Sequence, residues 1–560
     1  MLYLVSALLT ALICVPLYGG HLVYRDAVSV PQFSLSGAAF GVDGSAPRAV
    51  PQDAILGLVS RVVDGGWLVA LLTTAAVFGA GVGFGRLARR LVPQAGTAGA
   101  IAAAAVGIWN PFVAERLLQG QWSLLIGYAT LGPIVLAVLD LGDRRSWRPA
   151  ILLVGLFAAA GFTPTGSILA LTIAAAAAVA ARPGVGAGLA CGVGWVATAS
   201  PWLVASAVSD ASGSSSGASA FALRAEPGLG SFGTALGLGG IWNTDAVPTS
   251  RTTWWAAVAT AVFLAVLVVG TVRIFTSPAA PFDSVQGGRH RDPRMVLALL
   301  ALVVVVLVAV GATGPGVAVM DALLAHVPGA GLVRDAQKYL ALVVPFASLA
   351  AAAAVSVLRR WVPGGFAAAV IGLLIVAPLP DLGWGVGGQV RSVAIPTDYT
   401  HVADVIGDGD GTSVAVWPTA TVRSLSWTDG PSLSPLPRMI DAPVVVDGTL
   451  VVDGEPLDTP SGRVADIVAV LDDGGDPARL AQLGVGWVIS EEADPPALLA
   501  AGADEVVTGD HLRLFRLPDA IPAPSPSTAA WVAAIAALSL WFVALTAGAV
   551  ACGRRPRRAA

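Results

Sequence analysis

The sequence predicts an all-α polytopic membrane protein of about 12 transmembrane helices, with a small extracytoplasmic α/β domain before the last helix. Three observations predict it. Of 560 residues, 55% are hydrophobic and 12% charged, about half the ~25% charge of an ordinary soluble domain. The mean hydropathy of +0.76 comes from apolar blocks long enough to cross a hydrocarbon layer of ~30 Å, which takes roughly 20 helical residues. A single long stretch, 391–526, breaks that pattern with charge and short alternating runs. A water-soluble, collagenous or coiled-coil chain is excluded, since neither a three-residue repeat nor a charged heptad appears.

The apolar segments fall near residues 2–18, 67–85, 96–110, 123–139, 149–163, 167–181, 187–207, 253–272, 295–312, 339–357, 362–380 and 529–551. The first lacks a basic n-region and an A-x-A site, so it reads as a retained helix rather than a cleaved leader. Basic clusters recur in alternate connections: Arg86, Arg89 and Arg90; Arg144, Arg145 and Arg148; Arg182; Arg289, Arg291 and Arg294; Arg359 and Arg360; and the tail GRRPRR. By the positive-inside rule that side is cytoplasmic, as are both termini of a multi-pass plasma-membrane protein. The division is therefore a transmembrane part, 1–390, with outward loops 19–66, 208–252 and 313–338; an extracytoplasmic domain, 391–526; and a last helix with basic tail, 527–560. Cys14, Cys191 and Cys552 suit no disulfide framework.

The outer domain holds 21 Asp and Glu against 7 Arg, a balance of −14 in a chain whose total is −4. Such a surface repels nucleic acid and anionic headgroups and suits neutral sugars or a protein partner. Within it SVAVWP, APVVVDG, GTLVVDG, GVGWVIS and LRLFRLP read as strands, and RVADIVAVLDD, PARLAQLG and PPALLAAGA as helices. None of the twelve apolar segments contains Asp, Glu, Lys, Arg or His. That argues against an ion-coupled or lipid transporter, which needs polar groups at mid-depth.

Chemistry is thus sought in the outward loops. Arg25 and Asp26 follow the first helix directly. A carboxylate there suits a general base acting on an acceptor hydroxyl beside a lipid-linked donor; spacing alone favours a solvated interfacial charge pair. Further on, Ile55, Leu56, Val59, Val62 and Val63 mark one face of an interfacial helix, with Asp53 at its start suited to capping. The stretch IWNPFVAERLLQGQW, 108–122, gathers Asn110, Glu115, Arg116, Gln119, Gln121 and Trp122. It reads as a sugar-binding group with Glu115 as a second acid, or as interfacial anchoring. In GLVRDAQKYL, Arg334 and Lys338 are four residues apart, on one helical face, and Lys338 is the only lysine in the chain. They are suited to a phosphate or to snorkelling. The loop 208–252 opens with SDASGSSSGASA, a candidate lid, and closes with Trp242, Asn243, Asp245 and Arg251 as acceptor contacts or an aromatic-belt turn. No His or Cys spacing suits zinc, and the use of a divalent metal stays open.

Together the Arg25–Asp26 pair after helix 1, the amphipathic first loop, Glu115 within NPFVAERLLQGQW and the late motif RDAQKYL resemble the GT-C superfamily of membrane glycosyltransferases that use polyprenyl-phosphate sugars. More narrowly, they resemble actinobacterial arabinofuranosyltransferase-like proteins. The resemblance implies Asp26 as catalytic base and Glu115 as its helper. Arg25, Arg334 and Lys338 would then lie on the donor phosphate, and Asn110, Gln121, Trp122, Asp53 and Trp242 on acceptor or sugar. It implies an inverting transfer of a sugar, arabinofuranose or mannose, from a polyprenyl-phosphate donor to a cell-envelope glycan on the outer face. The partners would be that donor, that acceptor, the bilayer and envelope-synthesis proteins. A single Asp stands where many members carry an acidic pair, so a non-catalytic envelope scaffold is the alternative.

Overall fold

A computed structural model of the chain describes residues 1–47, 49–143, 147–209, 217–277, 291–452 and 454–553. Arg48, Arg144, Arg145, Arg289, most of the Ser/Gly run of loop 208–252 and the GRRPRR arginines lie outside the described residues.

Helices occupy all twelve apolar stretches, but they are not twelve equal spans. Among the described residues nine helices are long and apolar enough to cross a membrane. A tenth candidate, Gly364–Val376 with Pro380–Gly387, bends by 82°, and Leu2–Leu17 and Trp147–Ala160 are shorter. Twelve full spans therefore do not follow; apolar composition does not distinguish a short or broken helix from a complete crossing. The interior is built on Gly65–Leu91, which packs against Gly96–Ile108 and Trp122–Asp143, while Val344–Leu358 packs against Gly96–Ile108 and Trp255–Thr276. Local chemistry sets the ends. Asp64 accepts from the backbone N–H of Gly66 and Trp67, and Arg89 and Arg90 occupy the last turn of the same helix, matching its dipole. At that far end Arg90 pairs with Asp140, and Arg359 Nη1 donates to the carbonyls of Gln94 and Ala95 at 3.2 and 3.0 Å.

At the other end stands a mixed five-stranded sheet, in the order Asp504–Thr508, Leu512–Arg516, Val485–Glu491, Ser413–Trp417, Val444–Val445. The first two pairings are antiparallel and the last two parallel. Strand Val485–Glu491 is buried throughout, because both faces are covered, as the near-continuous apolar run requires. Tyr399, Val402 and Ile406 of helix Thr397–Ile406 pack on one face with Val414 and Ile489. Ile467, Val470, Leu480 and Leu499, from three helices, pack on the other with Ala415 and Val488. GTLVVDG forms a separate hairpin, Leu450–Val452 with Glu455–Leu457, instead of joining the sheet.

Candidate functional site

Between the sheet unit and the helix ends that face it lies a cavity of about 1540 Å³. Arg25 and Asp26 reach it from the turn of a minimal hairpin, Val23–Tyr24 with Ala27–Val28. The hairpin is held from two sides. Arg25 N donates to Pro431 O at 2.7 Å, and Leu433 N donates to Arg25 O at 3.1 Å, so the sheet unit grips the turn. From the membrane side Asp26 N donates to Gln119 O at 3.2 Å. Gly120 sits against that contact with φ +81°, and a Cβ there would strike the amides of Asp26 and Ala27.

The Asp26 carboxylate is oriented by amides. Its Oδ2 accepts from Gln119 Nε2 at 3.3 Å and Gln121 Nε2 at 3.2 Å. Each glutamine is itself pinned: Gln121 Oε1 accepts from Arg116 at 2.6 Å, and Gln119 Oε1 from Asn243 at 2.8 Å. Neutral donors on one oxygen hold the group in place without forming an ion pair, and Oδ1 has no partner among the described residues.

Of the residues singled out above, Arg25, Asp26, Gln121, Trp122, Trp242, Arg334 and Lys338 line this one cavity, although they span more than 300 positions of chain. Trp242 stands edge-on to Phe221 with centroids 4.9 Å apart, and Trp122 packs on Phe162 at 6.0 Å.

Three others lie behind its wall. Asn110 caps helix Pro111–Leu118 by accepting from Val113 N at 3.1 Å, and its amide donates to Val106 O and Tyr128 Oη. Glu115 is fully buried. Its oxygens accept from Gly240 N at 2.9 Å, Ile241 N at 3.1 Å and Gln337 Nε2 at 2.8 Å. The polar density of 108–122 is thus an interior network rather than a wet loop, and Glu115 presents no free oxygen to the cavity. Asp53 does not cap: Pro51 precedes helix Gln52–Val59, and the Asp53 carboxylate accepts from Arg438 Nε at 3.0 Å. Val62 and Val63 fall beyond that helix and are exposed, so its apolar face is made by Ala54, Ile55 and Leu56 with Val59 partly buried beside them.

Arg334 and Lys338 do not share a helical face. Helix Gly331–Arg334 ends at Asp335, with ψ 76°, before a 3₁₀ turn begins at Ala336. Arg334 is bidentate on Asp458 at 3.0 and 2.9 Å and stacks 3.9 Å over the Phe221 ring. Lys338 lies 3.4 Å from Asp335, which also accepts from Arg116 at 3.2 Å. Burial opposes charge on Asp335, but Lys338 and Arg116 outweigh it and hold the carboxyl below the usual range. Sequence reasoning passed over Arg224, Glu226, Arg438 and Asp458. Their partners are remote in the chain; Glu226, for example, is held in the interior by Arg251, with Nε to Oε1 at 3.0 Å. Among the described residues no three His, Cys, Asp or Glu side chains converge as cation ligands.

No family model and no curated protein matches the sequence. Two solved structures match the fold. The cryo-EM structure of the arabinofuranosyltransferase AftD from mycobacteria aligns with a TM-score of 0.56 at 16% identity, over 94% of this chain and 40% of that one. A point mutant of the same protein aligns with a TM-score of 0.55 at 17% identity, over 92% and 41%. The chain spans about two fifths of the length of these structures. The chain therefore shares its fold with the aligned two fifths of that arabinofuranosyltransferase.

Proposed function

We propose that this protein transfers a sugar from a polyprenyl-phosphate donor to a cell-envelope glycan at the outer membrane face, with inversion. The observation that supports this most is one buried-walled cavity on a GT-C-like scaffold where an amide-oriented carboxylate, Asp26, stands next to an arginine, Arg25. Asp26 Oδ1 takes the proton of the acceptor hydroxyl as its oxygen attacks the anomeric carbon. The bond from that carbon to the phosphate oxygen breaks, and the electron pair leaves with the polyprenyl phosphate. Arg25 and Lys338 supply positive charge where the departing phosphate gathers negative charge. Trp242 offers a ring face to sugar while the buried Trp122 backs the wall, and the helices beneath hold the lipid so that both reactants meet in line. Glu115, Asn110 and Asp53 act by positioning the walls, and Arg334 by holding Asp458.

The test is sugar transfer by the purified protein in lipid nanodiscs, from polyprenyl-phosphate arabinofuranose or mannose to an envelope glycan. Asp26→Asn should lower turnover at least ~100-fold, the low end for a lost general base, with an unchanged melting temperature. A variant that turns over like wild type removes Asp26 from the mechanism. The scaffold reading gains from the commitment of Arg334 to Asp458. It predicts that loss of 391–526 abolishes envelope function while Asp26→Asn does not.

A further inference from the structure

Among the described residues five arginine and lysine side chains line the cavity, and their partners divide them in two groups. Arg334 is paired with Asp458, Lys338 with Asp335 and Arg438 with Asp53. Arg25 and Arg224 have no carboxylate within ion-pair distance among the described residues. Arg25 is only 8% exposed. Its Nη2 donates to the backbone carbonyl of Asp245 at 2.7 Å, while Nε and Nη1 are buried without partners. Arg224 is half-buried, and its Nε and Nη2 are likewise without partners. Glu226, two residues further on, is taken by Arg251.

The two arginines flank one short strip of chain. Arg224 N donates to Gly240 O at 3.0 Å, and Arg25 reaches Asp245 O, with Trp242 on the strip between them. A desolvated guanidinium with unfilled nitrogens is costly until an anion meets it. Guanidinium forks suit phosphate oxygens better than a point charge does. Of the acids in the lining, Asp335 and Asp458 are taken by Lys338 and Arg334, which leaves Arg25 and Arg224 as the cations not matched by a carboxylate among the described residues.

We propose that Arg25 and Arg224 together seat the phosphate of the lipid-linked donor, with Arg224 as the second guanidinium that the sequence motif RDAQKYL had suggested would be Arg334. This rests on the donor class proposed above. It puts the leaving group beside the strip Gly240–Asp245.

Binding of farnesyl phosphate to the full-length protein in nanodiscs, followed by tryptophan fluorescence, tests the assignment, with farnesol and inorganic phosphate as comparisons. Wild type should bind farnesyl phosphate more tightly than farnesol. Arg224→Ala and Arg224→Gln should weaken binding at least tenfold, Arg224→Lys should recover part of it, and farnesol binding should not respond to any of these. An Arg224→Ala protein that melts like wild type and binds farnesyl phosphate as tightly overturns the pairing and leaves the donor class standing. Should wild type bind farnesol as well as farnesyl phosphate, the phosphate seat and the donor class both fall. Equal affinity for inorganic phosphate would make free phosphate the ligand and overturn a lipid-linked one.

Discussion

Glu115 separates a residue's chemical type from its task. Two backbone N–H groups and the Gln337 amide converge on it inside the protein, so Glu115→Ala strands three donors, each costing about 1–3 kcal/mol when buried and unpaired. The expected result is a lowered melting temperature with donor binding lost in parallel. Glu115→Gln is informative in another way: a variant that melts like wild type yet no longer turns over would restore Glu115 as the second acid. Asp335 makes the pH prediction. Its carboxyl lies below the usual range in the folded protein, so it contributes stability that is fully present above the unfolded value of ~3.9. That stability is lost as pH falls through the depressed folded value. Melting temperature of wild type relative to Asp335→Asn should therefore hold steady from neutral pH to about 5 and converge below about 4. A gap unchanged at pH 3 would exclude the Arg116–Asp335–Lys338 cluster as its source. Asp26 and Trp242 were legible in the sequence because each stands in a polar loop beside an apolar run. The duty of Glu115 was not, because burial depends on Gly240 and Gln337, more than 120 and 220 residues away.

Helices and strands were legible to the extent that their own periodicity carried them. The buried strands Ser413–Trp417 and Val485–Glu491 announce themselves as apolar runs, whereas Asp504–Thr508, largely exposed at the sheet edge, begins with two acids and gives little apolar signal. Helix Thr397–Ile406 escaped notice for a related reason: only Tyr399, Val402 and Ile406 point inward. Among membrane helices, composition marks small residues as packing sites without saying which are tight. The structure names one. A Cβ at Gly270 would fall on the carbonyl of Ala350, a backbone atom in the facing helix Val344–Leu358. Gly270→Ala must push Trp255–Thr276 outward, since backbone cannot rotate away as a side chain can. Overpacking of this kind costs about 1–3 kcal/mol, read as a lower melting temperature in detergent. Gly372→Ala, where a Cβ meets nothing, should melt like wild type, and equal loss in both would refute the close crossing.

At the scale of the whole molecule, the cavity exists only while the sheet unit stays seated on the helices. Besides the backbone bonds at Arg25, the side-chain ties that hold it include Arg438 to Asp53, Arg334 to Asp458, and Leu35 N to Asp441 Oδ1 at 3.0 Å. Both arginine ties are partly shielded from solvent, and a hydrogen bond to a charged group contributes about 1.5–3 kcal/mol. The two ties share no residue, one joining the first loop and the other the segment before Ala336, so their losses should add. Replacing Asp458 by Asn should loosen the hairpin Leu450–Val452 with Glu455–Leu457 alone, while Asp53→Asn together with Asp458→Asn should free the whole unit. Hydrogen exchange at 420–458 reports this directly: faster exchange near 450–457 in the single variant, and across the segment including Pro431–Leu433 in the double. Transfer should fall with the double variant even though Asp26 is untouched, because the turn that carries it is half made of sheet-unit backbone. If the double variant exchanges like wild type but loses transfer, the carboxylates serve the acceptor instead of the seating.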